Sequence, residues 1–501
     1  MSLARDLGTV GSATLASRVL ALVRDMGVAA ALGAGPLADA YVAALQVPNL
    51  FRRLLADGAL NGALVPLWLR RRGDGRSFAE RIFGVTLVAL GGFALLGIAF
   101  APAAIHLVAP GFGAGTERFA DAVLFLRLAM AYVAFAGIAA VAVAILNAEG
   151  RVAAASAGIV AFNVVLVAAA LVVLALGTGA SRLSAGILAA SFAVAGVVQL
   201  ALILAALRRL PRPPRRARFA LSDDVRRFYA RAVPALVAGG IPQLALIAGT
   251  IVASPSVTAV SWLYYACRLY ELPLGVVSGA VASVLAPRLA RAAHAGDDKA
   301  VAAAQTHAVE VALGLALPAA CGLALLARPI AGVLFERGAF TPADTAAVAA
   351  AIAAIAFGLP GHALEKVLAA VSFANEDTRT PMLTAALGLA ASVVAALALF
   401  PRYGHVGVAA AIAMAGWVGA LALALARRGR LRARPRALRI VAAAAVMSLG
   451  LLAAMHALGA APRLLVVVLL VPLGAALYAA SLAALRVVSP RDLYAAAKQW
   501  H

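Results

Sequence analysis

Largely apolar stretches of about twenty residues or more recur from one end of this chain to the other, each long enough to cross roughly 30 Å of hydrocarbon as a helix. Hydrocarbon holds no water to satisfy a backbone N–H or C=O, so a crossing segment has to close its hydrogen bonds internally. Hydrophobic residues make up 64% of the 501 and charged residues only 13%, which excludes an ordinary soluble domain. The fold class is therefore all-α, a polytopic membrane protein. Helices are predicted at 8–33, 36–69, 79–109, 118–146, 152–176, 184–207, 224–253, 257–287, 300–327, 343–371, 381–400, 405–426, 438–460 and 464–486, which makes fourteen transmembrane helices.

A formal charge of +22 raises nucleic acid as a partner, but its distribution along the chain argues otherwise. Of the 43 Lys and Arg residues, 29 fall at the N-terminus, in loops after even-numbered helices or in the C-terminal tail; six fall on the other side and eight inside predicted spans. By the positive-inside rule both termini are then cytoplasmic, in agreement with an even number of helices. Attraction to anionic lipid is a secondary reading of the same charge. The N-terminal MSLARDLGTV leads into a segment too long for a signal-peptide core and without a typical cleavage site, so the first helix is expected to be retained. Cys267 and Cys321 lie in apolar runs and read as buried thiols.

Two basic breaks divide the chain. RRLPRPPRRARFALSDD (208–224) separates the first six helices from the next six, and RRGRLRARPRALR (427–439) isolates the last two. The expected domains are a first lobe over 1–210, a second over 211–427, and a final helix pair with its tail over 428–501. GALNGALVPLWLR in helix 2 and GAVASVLAPRLAR in helix 8 share the spacing of Gly-Ala, Pro and Arg at an offset of 221 residues. That pseudo-repeat implies a two-lobed transporter.

The intramembrane charges point to a site. Burying each costs about 2.5–3.5 kcal/mol on insertion scales, so they face partners or a polar cavity. The eight cations are Arg18, Arg24, Arg52, Arg53, Arg127, Arg231, Arg268 and Lys366. Four lie in helices 1 and 2, with Asp25, Asp39 and Asp57 for company. Arg53 and Asp57 are i,i+4 and can pair, and Arg268 and Glu271 are i,i+3. Arg52 has no acid three or four residues away, and Asp25, next to Arg24, is expected to point elsewhere on the helix. Asp39 is expected to pair with a helix 1 arginine or to shape a gate. Each charge alone reads equally well as a structural ion pair; the cluster reads as a cationic intramembrane cavity for an anion. Pro48 removes a backbone hydrogen bond beside Asn49 and Arg52 and is expected to bend helix 2. Thr341, Pro342 and Asp344 form a helix start, a structural motif.

A membrane glycosyltransferase is disfavoured, because the outward loops are short and no metal-ligand spacing, phosphate-binding glycine loop or nucleophile motif occurs. No filter-like repeat suggests a channel, and no ATP-binding motif is present. A secondary carrier or flippase for an anionic substrate remains, with no cofactor expected.

SRVLALVRD (17–25), ADAYVAALQVPNLFRRLLADGALNGALVP (38–66), ILNAEGR (145–151), SWLYYACRLYELPLG (261–275), LFERGAF (334–340) and FANEDTRTP (373–381) resemble, in order and across the whole chain, the MurJ/MviN family of lipid II flippases in the MOP transporter superfamily. The resemblance implies transfer of lipid II, the undecaprenyl-pyrophosphate-linked peptidoglycan precursor, across the bacterial cytoplasmic membrane, with membrane lipids and other cell-wall synthesis proteins as further partners. It also implies functional roles for Arg18, Arg24, Arg52, Arg268 and Asp39, and a hydrophobic tail groove at the last two helices; the residue spacing adds Asp25, Pro48, Asn49, Arg53, Asp57 and Glu271 as supporting residues. This chain departs from the family in having Cys267 where many members carry Asp before Arg268. The alternative is an exporter of another lipid-linked oligosaccharide or a MATE-like exporter, although a first lobe rich in arginine disfavours cationic drugs.

Overall fold

In the computed structural model the described residues are 3–56, 59–69, 75–211, 213, 214, 216–281, 291, 298–374, 377–426, 435–459 and 461–487. They form helices and no strands. Among the described residues, eight helices are long and apolar enough to cross a membrane, and the pair Pro342–Ala356 and Leu359–Ala374, bent by 41°, is long and apolar enough when taken together. The described chain divides into two compact units, Met1–Ser261 with Arg337–Thr341, and Trp262–Glu336 with Pro342–His501.

The first unit holds α1 (Leu3–Leu32), α2 (Pro36–Ala56), α3 (Ala59–Leu69), α4 (Gly75–Ala99), α5 (Ala101–Val108), α6 (Glu117–Met130), α7 (Tyr132–Ala148), α8 (Val152–Leu176), α9 (Arg182–Arg208) and α10 (Asp223–Ala253). Their ends carry recognisable stops. Thr116 accepts from the Phe119 N–H at the start of α6, Ser181 accepts from the Ser184 N–H at the start of α9, and Gly177 closes α8 in the left-handed region. The segment Glu117–Ala148 is central: 61% of its apolar window is buried, against 28% for α8. Around it Tyr132, Phe162 and Phe192 meet with ring centroids 5.1–6.1 Å apart, and Gly196 lies so close to the Tyr132 ring that a Cβ would stand 2.8 Å from it. Such small residues replace a hydrophobic driving force that lipid does not provide between helices. Outward faces of α8 and α9 present Leu171, Val172, Val194 and Leu202, as a lipid-facing surface requires. The return Arg337–Thr341 joins this unit through the Ala339 N–H to the Ala30 carbonyl at 2.9 Å. Gly33 and Gly338, both at positive φ, leave no room there for a Cβ.

The second unit holds α11 (Ala259–Ala280, from Trp262 onward), α12 (Asp298–Leu325), α13 (Ala327–Phe335), α14 (Pro342–Ala356), α15 (Leu359–Ala374), α16 (Arg379–Ala426), α17 (Pro435–Leu458) and α18 (Arg463–Ala484). α16 is two helices joined across Gly404, whose φ of 54° and ψ of −137° are non-helical; the predicted division between 381–400 and 405–426 falls there. The predicted span 343–371 is broken at Phe357–Gly358, and the freed Phe357 carbonyl accepts the Trp417 indole N–H at 2.9 Å. α13 is a short element almost wholly in the stretch 328–342 that the predicted spans leave as a loop. α12 meets α15 along Ala308, Ala312 and Ala316 against Ala363 and Val367. α15 and α16 approach closely, so that a Cβ on Gly361 would lie 2.7 Å from the Trp417 backbone nitrogen. The last helix pair packs on α12 and α13: Tyr478 donates to the Gly314 carbonyl at 2.8 Å, Arg436 faces Glu310 at 3.7 Å, and Arg463 pairs with Glu336. The predicted repeat segment GAVASVLAPRLAR lies mostly outside the described residues.

Gly361→Ala is expected to destabilise the second unit by about 1–3 kcal/mol, because backbone of α16 has to move. Gly322→Ala, in α12 with nothing within 4 Å, is expected to be neutral or to stabilise by up to about 1 kcal/mol; thermal unfolding of both variants in one detergent reads the contrast. The Arg463 guanidinium also holds the Glu336 carboxyl below its ordinary value of 4.5. A depressed folded-state value means that the pair stabilises above the ordinary range and that this is lost as pH falls through the lowered value. Glu336→Gln should therefore lower the unfolding temperature at neutral pH, with a difference that shrinks below about pH 4.5.

Candidate functional site

Asp39, in the first turn of α2, is a wholly buried carboxylate. Its Oδ2 accepts the Thr258 N–H at 2.7 Å and its Oδ1 accepts the Ser261 N–H at 2.8 Å. These are the free donors at the start of α11, where a negative charge meets the positive end of the helix dipole. The expected helix 1 arginine is not its partner: Arg118 is, at 3.4 Å. Arg118 Nη2 donates to the carbonyls of Ser254 (2.8 Å) and Gly111 (3.2 Å), Nη1 to that of Ser256 (3.4 Å), and its guanidinium lies 4.0 Å from the Phe112 ring centroid. The loop fits because residue 111 is glycine; a Cβ there would stand 2.2 Å from the Pro255 nitrogen. Thr258 takes a left-handed φ of 73° to aim its N–H at Asp39. Sequence reasoning missed Arg118, and a signal was present: it is one of only six basic residues on the side that the charge bias leaves poor in arginine.

On α1, Arg18 is exposed and makes no hydrogen bond or ion pair among the described residues. Arg24 is the reverse. It is 5% exposed, and its Nε and Nη2 both donate to Asp25 Oδ1, at 3.0 and 2.8 Å. The expectation that Asp25 points elsewhere fails because an arginine side chain is long enough to fold across the helix surface, and two buried charges are best answered at the shortest range. Nearby, Ser17 accepts from Asn163 of α8 at 3.0 Å.

On α2 the helix runs unbroken through Pro48. Arg52 Nε donates to Asn49 Oδ1 at 3.2 Å, and its guanidinium stands 5.9 Å from the Phe162 ring centroid. The proline thus sits one residue before the amide that orients Arg52. Arg53 is partly buried; its expected partner, Asp57, lies outside the described residues, as does the side chain of Arg231. Arg127 is exposed and donates to the Ile98 carbonyl at 3.3 Å.

In the second unit the pair anticipated from spacing forms, with Arg268 Nη1 to Glu271 Oε2 at 3.0 Å, and the guanidinium also lies 4.7 Å from the Tyr264 ring centroid. Cys267 is a buried free thiol, so Glu271 stands as carboxylate partner to Arg268 where Asp is absent. On α15, His362 shares a 2.9 Å hydrogen bond with the Tyr270 hydroxyl, one turn before Lys366. The structure thus groups Arg24 with Asp25 and Arg52 with Asn49 in one unit, and Arg268 with Glu271 in the other, while Asp39 belongs to a separate clasp with Arg118.

Residues 28–477 match the family described as "Lipid II flippase MurJ". The chain belongs to the MurJ family. Among its relatives, the probable lipid II flippase MurJ of Rhizobium meliloti (strain 1021) is 41% identical over 475 residues, covering 90% of this chain and 86% of that one. The lipid II flippase MurJ of Burkholderia cenocepacia is 32% identical over 442 residues, covering 86% and 84%. A solved lipid II flippase MurJ in an inward closed conformation shares the fold with a TM-score of 0.82 at 21% identity, over 94% of this chain and 97% of that one. An inward-facing multidrug resistance MATE transporter of the MOP superfamily does so at 0.69 and 17%, over 85% and 95%. Membership in the MurJ family thus goes with a fold shared across MOP transporters.

Asp39→Asn keeps one acceptor oxygen and removes the charge, leaving a buried backbone N–H and Arg118 poorly answered. It is expected to cost about 3 kcal/mol, read as a lower unfolding temperature, with Arg118→Met lowering it too and the double variant falling short of the sum of the two.

Proposed function

We propose that this chain flips lipid II from the inner to the outer leaflet of the cytoplasmic membrane by alternating access, its two lobes opening the headgroup first to one side and then to the other. The observation that carries the reading is the family match over residues 28–477. The arginines supply the chemistry. Arg18, Arg24 and Arg52 in the first lobe and Arg268 in the second are assigned to the pyrophosphate and the sugar headgroup, with Asp25, Asn49 and Glu271 holding Arg24, Arg52 and Arg268 oriented between substrates and Arg53 with Asp57 as a supporting pair. A guanidinium presents paired donors that replace the water lost from a phosphate, which an ammonium does less well.

Asp39 is assigned a supporting role at the start of α11, since its oxygens are already engaged by backbone donors. With both termini cytoplasmic, an inside-negative potential favours outward passage of negative charge by about 2.3 kcal/mol per charge per 100 mV. The last helix pair is assigned to the polyprenyl tail. The chain performs no covalent chemistry on its substrate in this reading: labelled lipid II incubated with purified protein is returned unpolymerised and uncleaved.

The decisive test is complementation of a conditional lipid II flippase mutant by the unmutated chain and by Arg52→Ala and Arg52→Lys. The unmutated chain is expected to rescue growth and the alanine variant to fail at equal expression, with headgroup affinity lowered about ten- to a hundredfold by the loss of a charge-assisted contact. The lysine variant should rescue poorly. Full rescue by Arg52→Ala would remove Arg52 from the substrate site, and no rescue by the unmutated chain would return the assignment to another lipid-linked oligosaccharide.

A further inference from the structure

The linker after α9 is too well built to serve only as a charge signal. It leaves a membrane span at Arg208 and enters α10 at Asp223. Between them it is strapped to the first turns of α4. The Arg218 N–H donates to the Glu80 carbonyl at 2.8 Å. Gly84 allows the contact, because a Cβ there would stand 2.2 Å from the Arg218 carbonyl. Glu80 is itself held, with Arg76 at 3.2 Å and Arg218 at 3.6 Å. The strap therefore runs across the first turns of the span Arg76–Ala99 and follows in sequence from the end of the span Arg182–Arg208.

What this fixed backbone displays is unusual for a water-facing loop. Phe219 and Leu221 are 60% and 54% exposed. Arg208, Arg209, Arg216, Arg218, Arg226 and Arg227 are exposed around them, and the acids on the same stretch are Asp223 and Asp224. A topology signal needs only the positive charges. Large apolar side chains between those charges would face water at a cost, unless an interface accepts both: acyl chains for the rings and methyl groups, phosphates for the guanidinium groups.

We propose that the strap 216–221, with the flanking arginines, is a binding site for anionic phospholipid headgroups, into whose acyl region Phe219 and Leu221 insert. The occupant is a phospholipid because the strap lies at the ends of two membrane spans and because Arg216 and Arg218 stand just before the exposed Phe219 and Leu221, a combination that a purely acidic surface would not complement. The site is distinct from the substrate arginines and does not depend on what the chain transports.

The test uses the purified full chain, with phosphatidylglycerol and phosphatidylcholine as probes and native mass spectrometry counting the molecules of each that stay bound. The unmutated chain should retain phosphatidylglycerol preferentially, and rising salt should strip that lipid and leave phosphatidylcholine. Arg216→Gln/Arg226→Gln/Arg227→Gln should lower the preference at least about tenfold, since one arginine at an anionic surface is worth about fivefold. Phe219→Ser/Leu221→Ser should weaken retention of both lipids. These positions are exposed, so unchanged unfolding temperatures in neutral detergent confirm intact protein; should the triple variant unfold, the salt series on the unmutated chain decides. Equal retention of the two lipids by the unmutated chain, or unchanged preference in the folded triple variant, would overturn the proposal and leave the arginines to an acidic protein surface.

Discussion

Every level of this structure depends on the absence of water from hydrocarbon. A backbone that crosses the membrane has to satisfy its own N–H and C=O groups, which makes helices the elements of both units. Where a helix breaks, a local partner appears: the Phe357 carbonyl at the bend between α14 and α15 is taken by the Trp417 indole. Because lipid is as apolar as a leucine side chain, the helices are held by close contact, and glycine and alanine line the closest approaches. Gly361 against the backbone of α16 and Gly196 against Tyr132 are the clearest instances.

The same constraint governs the charges. A guanidinium at membrane depth needs a partner, and the structure offers several kinds. Arg24 is answered by the adjacent Asp25, Arg52 by the Asn49 amide, Arg268 by Glu271 and an aromatic face, and Arg118 by a carboxylate and backbone carbonyls. Arg18, one of the proposed substrate residues, stands exposed with no such partner among the described residues. Asp39 shows the other extreme, since its carboxylate is so fully engaged that its importance is better understood through the start of α11 than through the substrate.

How much was legible followed from the range of each interaction. The span 152–176 was read to the residue, the turn at Gly404 fell between two predicted helices, and the Arg268–Glu271 pair followed from helical spacing. The Arg24–Asp25 pair was misread although the residues are adjacent, because spacing rules describe where side chains leave a helix and not how a long one folds back across it. The clasp of Arg118 with Asp39 joins residues 79 apart, and Asp39 reaches Ser261 across 222; no local pattern encodes such a meeting.

The sequence by itself determined the all-helical membrane fold and the approximate bounds of many of its helices. Both depend on the composition and spacing of neighbouring residues. Tertiary structure alone decided that Arg118 answers Asp39, that residues 216–221 are strapped to α4 with Phe219 and Leu221 exposed, and that α13 is an element of its own. Those outcomes depend on which helices come within a few ångströms of each other, where one glycine in place of alanine decides whether two backbones meet.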